Sequence, residues 1–297
     1  MATIGDIVLR TEEILYGMGV WERPDFDTLD GGINASVTSL DTDLTFWVRG
    51  DYMEFITDAG TPNEIVHVQA FSGNTATVKR GVRNSTAATQ VDGAEIRRNP
   101  DFPRVSIEQK VQDIMDTPGV LWPHVWTWHT DSLTFTTDDH LYDLDQYVED
   151  VVAVYQSNID SDGKFAPIDN GLWDVVRELD SNVTTNGSLL RLGRVWDEDT
   201  TVYYTAKRRP AYADLANIDA ELANLLPRAA AAELLMARAP QLENASRRSG
   251  RANAGRIYDI GTSMKEQFRR DLDGFRRALL VEHPPKPKYR HRFQRRW

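Results

Sequence analysis

Residues 64–107 read EIVHVQAFSGNTATVKRGVRNSTAATQVDGAEIRRNPDFPRVSI, and within them the chain changes from strand to helix. Glu64 to Phe71 and Thr75 to Arg80 are runs rich in branched and aromatic residues. Ser72-Gly73-Asn74 between them supplies a turn that tolerates positive φ, so the two runs read as a hairpin. Ala94 to Arg98 is a further short strand ahead of Pro100. The period then shifts. Ser106 followed by Gln109 fits a capping box, and Val105, Ile107, Val111 and Ile114 fall at helical spacing. Thr117-Pro118-Gly119 ends that helix, because proline cannot continue an interior turn and glycine suits the exit.

Upstream, Leu44 to Val48 and Tyr52 to Ile56 read as strands, so about Ala35 to Arg98 is expected to form a small β-barrel. It follows a turn-rich stretch, WERPDFDTLDGG, and an N-terminal helix over Thr3 to Tyr16. That helix has Ile4, Ile7, Val8, Thr11, Ile14 and Leu15 on one face, and Gly17 and Gly19 stop it.

Downstream, a second β region runs from about Val125 to Lys207. Candidate strands are Leu133 to Thr136, His140 to Leu144, Val148 to Gln156, Leu172 to Leu179, Ser188 to Leu192 and Thr201 to Lys207. Their short spacing and alternation predict an antiparallel sandwich. The last third is helical. Leu215, Ile218, Leu222 and Leu225 lead to Pro227, where a break or kink is expected. Arg228 to Arg238 continues as an alanine-rich helix whose small residues permit close approach of a neighbour. A polar loop, PQLENASRRSGRAN, is expected next. Then Ile257, Ile260, Met264, Phe268, Leu272, Phe275 and Leu279 form a long apolar helical stripe. Pro284, Pro285 and Pro287 end it and open a basic extended segment.

The expected fold class is therefore α+β: a helical core of about four helices with two inserted antiparallel β modules, a small barrel and then a sandwich, and an extended basic C-terminal arm. The expected divisions are an N-terminal core helix in 1–30, the barrel in 31–103, a core helix in 104–120, the sandwich in 121–208, the C-terminal core helices in 209–282 and the arm in 283–297.

Composition narrows the function. The 297 residues contain no cysteine, so disulfides, thiolate metal sites and cysteine nucleophiles are excluded. No apolar run approaches the roughly 20 residues that span a bilayer, and the N-terminus lacks a signal-like h-region. The net charge of −11 disfavours binding to a phosphate backbone.

The chemistry-bearing residues are weak candidates. Asp41 and Asp43, Asp138 and Asp139, and Asp143 and Asp145 could pair as acid and base, but aspartate at turns and strand ends ordinarily serves the backbone. Asn158 to Gly163 resembles the opening of a calcium loop. Its twelfth position is Asp169 instead of glutamate, and Pro167 intervenes, so a hairpin turn is the better reading. His67, His124, His129, His140, His283 and His291 show no metal-ligand spacing, and no nucleophile-elbow, phosphate-loop or dinucleotide motif is present. No enzyme, metal or cofactor is expected.

From Arg276 onward the charge reverses. Arg276, Arg277, Lys286, Lys288, Arg290, Arg292, Arg295 and Arg296 face a single acid, Glu282, and Tyr289, Phe293 and Trp297 are interleaved among them. This stretch reads as an arm that orders on a protein partner, as a solvated end, or as a nucleic-acid binder. The acidic body favours the first.

Two stretches carry a family likeness. Thr77, Val78, Arg80, Gly81, Thr86, Ala87, Gly93, Ala94 and Ile96 match a "TVxRG…T.A…..GA.I" pattern, and the stretch resembles a small β module of tailed-bacteriophage virion proteins. YYTAKRRPAYADLANIDAELANLLPRAAAAELLMARA, residues 203–239, with the amphipathic helix and tail that follow, is similar to the C-terminal half of phage head-to-tail connector (adaptor, or neck) proteins. The resemblance implies a structural virion protein, a 12-fold ring of copies of itself beneath the portal protein. The arm would reach into the portal, and a downstream neck or tail-completion protein would follow. Genomic DNA would pass through the channel without specific binding. It implies no membrane, a place at the virion's head-to-tail interface, and the host cytoplasm during assembly. Alternatives are another tail or baseplate component, or a carbohydrate- or receptor-binding virion module with Trp122, Trp126 and Trp128 as a stacking platform.

Overall fold

The computed structural model describes residues 3–56, 63–121, 125–133, 141–159, 165–169, 171–177, 188–193, 202–249 and 254–282. Helix α1, Ile4–Gly17, starts at a capping box: Thr3 Oγ1 accepts the Asp6 N–H at 3.2 Å, and Asp6 Oδ2 accepts the Thr3 N–H at 3.0 Å. The Thr3 backbone bond holds the Asp6 carboxyl below its usual range. The expected apolar face is the one buried, with Ile7, Val8, Thr11 and Leu15 inward.

Six antiparallel strands then close a barrel in the order β1-β2-β5-β4-β3-β6. They are β1 Phe26–Asp30, β2 Ser39–Thr42, β3 Tyr52–Ile56, β4 Glu64–Ser72, β5 Thr75–Lys79 and β6 Glu95–Arg98. The expected hairpin is β4–β5, turning through Gly73 at φ +61°. β6 closes the barrel by pairing with both β1 and β3. Leu29, Leu40, Met53, Phe55, Val66, Val68, Val78 and Ile96 fill the interior.

The strand expectations differ from the structure in two ways. Leu44 to Val48 is not a strand, and β1 lies in the stretch read as turn-rich, while β2 falls within the expected β region but outside its named runs. The cause is Asp27. Its buried carboxylate accepts the Trp47 indole N–H at 2.6 Å and the Leu44 N–H at 3.1 Å, which pins 44–48 as irregular chain across the barrel. The barrel thus begins at Phe26, ahead of residue 31.

Helix α2, Arg104–Asp116, starts two residues before Ser106, with Pro103 at the N-cap and no side-chain cap of its own, so the Ser106–Gln109 box does not form. It ends at Thr117, with Gly119 at φ +89°. Near the C-terminus, α3 Ala220–Ser249 and α4 Ala254–Glu282 pair along their length. Pro227 and Pro240 both lie inside α3, so neither the expected break nor most of the expected polar loop is present. Apolar contact with α1, α2 and α4 outweighs the missing bonds of each proline. Ala229, Ala230, Ala231 and Ala232 are buried. A Cβ on Gly261 of α4 would lie 2.9 Å from Met236 Cγ and 3.1 Å from the Ala232 carbonyl oxygen. The small residues do bring these helices close. Ile257, Phe268, Leu272, Phe275 and Leu279 are buried as the stripe requires, and Ile260 and Met264 pack partly buried beside them.

These four α-helices, among the described residues, share two apolar clusters that draw on the beginning, middle and end of the chain. The protein is therefore mixed α+β, with the barrel inserted between α1 and α2.

Between α2 and α3 lie two further antiparallel sheets. Five of the expected strands recur, four of them with shifted ends; β7 shares only Leu133 with the expected Leu133 to Thr136, whose other residues lie outside the described ones, and β10 is an additional strand. β7 Thr127–Leu133, β8 Leu141–Asp143, β9 Val148–Ile159, β10 Phe165–Pro167, β11 Trp173–Arg177, β12 Ser188–Leu192 and β13 Val202–Arg208 form orders β10-β9-β13-β7 and β11-β12-β8. β13 alternates buried and half-buried residues strictly. Val154, Val202 and Tyr204 of the first sheet and Tyr142, Leu190 and Leu192 of the second belong to one apolar cluster. A 3₁₀ segment, Tyr212–Asn217, returns the chain to the helices.

Candidate functional site

Arg80, the charged residue of the TVxRG pattern, lies across the barrel's edge. Its Nε and NH2 donate to Glu64 at 2.7 and 2.6 Å. Its NH1 donates to the Asn34 and Val37 carbonyls, and NH2 also reaches the Ala88 carbonyl at 2.6 Å. Glu64 further accepts the N–H groups of Gly81 and Ala88. Both side chains are buried, so the fork-to-fork pair ties two loops, β1–β2 and β5–β6, to strand β4 and is fully satisfied. Gly81 is at φ +59°, where a Cβ would stand 3.2 Å from Ala87 N and 3.3 Å from Ser85 O. Val78, Ala94 and Ile96 are buried. The pattern specifies a barrel and leaves no reactive group exposed.

A second charged group joins barrel to helices. Glu12 of α1 is buried beside Val8 and Leu15, and its carboxylate takes Arg97 of β6 together with Arg104 of α2, the latter at 3.2 and 3.3 Å. Burial opposes the Arg97 charge, but the hydrogen-bonded Glu12 overrides it and holds the guanidinium above its ordinary value. Glu54 of β3 is wholly buried, and its Oε1 accepts the Arg104 N–H. Burial pushes its pKa up to about 8, against the attraction of Arg97. A carboxyl near neutrality is a general-acid signal, yet this one faces no open cleft and caps a helix. Sequence reasoning missed Glu12, Glu54 and Arg97. The available signal was a charge at a core position: Glu12 on the apolar face of α1, and Glu54 between Met53 and Phe55.

Two hollows adjoin these groups. One, of about 180 Å3, lies between α1 and the barrel and is lined by Leu9, Glu13, Tyr16, Pro24, Phe26 and Arg97. The other, of about 160 Å3, separates the barrel from α2, where Asn63 donates to Glu108 at 2.8 Å and burial raises the Glu108 carboxyl.

Arg276 and Arg277 are exposed on the last turns of α4. Lys286, Lys288, Tyr289, Arg290, Arg292, Phe293, Arg295, Arg296 and Trp297 lie outside the described residues, as do Trp122, His124, His140, His283, His291 and the Asp138–Asp139 pair. Asp41 accepts the Thr75 hydroxyl, Asp43 the Thr28 hydroxyl, and Asp145 the Tyr147 N–H and Arg208. The aspartates thus serve turns and strand ends. Trp126 is buried in the helical cluster beneath Lys207, so it is no part of an open stacking platform. Among the described residues no group of three histidines or carboxylates is placed to hold a metal ion, and no helix is long and apolar enough to cross a membrane. The chain matches no protein-family model and no curated protein.

Proposed function

We propose that the chain is a head-to-tail adaptor of a tailed bacteriophage: a ring-forming structural subunit that binds the portal and passes DNA through its centre. The observation that carries this reading is the nesting of β modules between helices that share their apolar clusters, followed by two exposed arginines near the end of α4 and a basic, aromatic segment. In this reading the second β module is a sandwich, its two sheets closing over their shared apolar cluster. An acidic body lets DNA slide because it offers few phosphate anchors. Arg276, Arg277 and the cations beyond Pro284 would supply electrostatic complementarity to an acidic partner surface and fix its register. The buried arginines are committed to structure: Arg80 to Glu64, and Arg97 and Arg104 to Glu12.

The test is deletion of 284–297. Truncated subunits should keep their thermal transition and fail to attach to portal-bearing heads. Normal yields of joined heads and tails with truncated subunits would refute the reading.

A further inference from the structure

Strand β1 shows two different faces. Asp27 and Leu29 point into the barrel, while Phe26, Thr28 and Asp30 alternate outward. Register places the outward neighbours. Phe26 pairs with Arg97, Thr28 with Glu95, and Asp30 with Asp41, while the Thr28 hydroxyl donates to Asp43. Two carboxylates thus oppose each other directly across β1 and β2, an arrangement that destabilises an isolated sheet. Asp30, Asp41, Asp43 and Glu95 are all exposed.

The other end of the same row is apolar and hollow. Phe26 is 46% exposed and Leu9 of α1 is 48% exposed, and both edge the hollow of about 180 Å3. Arg97 lines it too. That residue is only 7% exposed, with its guanidinium held by Glu12 and its Nε 3.5 Å from the Glu95 carboxylate. Along one strand the surface therefore offers a hollow edged by two exposed apolar side chains and then a row of four carboxylates.

One segment of the chain has the matching chemistry. Pro284 to Trp297 contains six lysines and arginines and no acid, with Tyr289, Phe293 and Trp297 four residues apart among them. Every one of the chain's 45 acidic residues precedes it. We propose that, in the protein free of other partners, the outward face of β1 from the Leu9–Phe26 hollow to the Asp30–Asp41 pair receives segment 284–297 of a second copy of this chain. An aromatic ring fills the hollow beside Leu9 and Phe26, and the cations lie along the carboxylates. Arm and face are different patches, so the contact is heterologous and can close into a ring. This rests on reading 284–297 as a docking arm. It adds the counterpart of that arm within the protein itself, and portal surface would compete for the same segment.

Sedimentation velocity of the full chain across a wide range of concentration tests it. We expect concentration-dependent association that weakens with added salt and is dissolved by a synthetic peptide of residues 284–297. The double variant Asp30→Lys, Asp41→Lys should associate about tenfold more weakly. A second variant, with Arg290, Arg292, Arg295 and Arg296 all changed to Glu, leaves every barrel residue untouched and should also lose association. Mixing the two variants should restore it, because each then supplies what the other lacks. A wild-type chain that stays monomeric at all concentrations, association unaffected by the variants, or peptide-sensitive compaction without self-association would each overturn the proposal. The head-attachment assay reads the adaptor function separately, so the two ideas can fail independently.

Discussion

Glu54 Oε1, inside the barrel, accepts the backbone N–H of Arg104, the first residue of α2. Pro103 has no side-chain donor or acceptor to cap this helix, so one module of the protein caps a helix belonging to another. The same carboxyl sits beside the Glu12 carboxylate that holds Arg97 and Arg104, and barrel and helices are thereby fastened through one buried charged group.

That fastening has a pH signature. The Glu54 pKa is about 8 in the folded chain against an ordinary 4.5, so between those values the folded state binds the extra proton. Its contribution to stability is therefore undiminished below about pH 4.5 and is lost as pH rises towards about 8. Glu54→Gln mimics the neutral acid and keeps an acceptor for Arg104. Calorimetry should show its Tm gaining on wild type from pH 5 to pH 8.

The Arg80–Glu64 pair makes a sharper prediction. Arg80→Ala leaves a buried carboxylate with only backbone partners and should lower stability by about 3–5 kcal/mol in urea unfolding. Arg80→Met with Glu64→Leu removes both charges and should recover much of that loss.

Gly73 and Gly81 are both in the left-handed region, at φ +61° and +59°. A Cβ at Gly73 meets nothing within 4 Å, whereas one at Gly81 meets Ala87 N and Ser85 O. Gly73→Ala should destabilise by about 1 kcal/mol, and Gly81→Ala by at least about twice that. Equilibrium unfolding of the two variants side by side checks the difference.

Two glycines of α4 should respond with opposite sign. Gly261→Ala forces a Cβ to within 2.9 Å of Met236 Cγ in α3 and should cost about 1–3 kcal/mol. Gly274→Ala meets nothing within 4 Å and should stabilise the helix by about 0.5–1 kcal/mol. Thermal melts of the two variants read the signs directly.

Some of this was legible along the chain. The buried face of α1, the β4–β5 turn at Gly73 and the stripe from Ile257 to Leu279 follow from period and turn chemistry, which act over a few residues. Strand β1 was not legible, because Asp27 and Asp30 read as turn residues. Asp27 is tolerated in the barrel only because the Trp47 indole, twenty residues away, meets its carboxylate. Pro227 and Pro240 likewise read as breaks, and packing against three other helices carries α3 through both.

By itself the sequence determined the alternation of helical and strand segments, the absence of thiol chemistry and the charge reversal after Arg276. Only the tertiary structure decided that the barrel closes through β6, that Glu12 and Glu54 are buried, and that carboxylates and an apolar hollow align on β1. The reason is range. Periodicity and turn preference are local properties of the chain, whereas the energy of a buried charge depends on partners that only folding brings within hydrogen-bond distance.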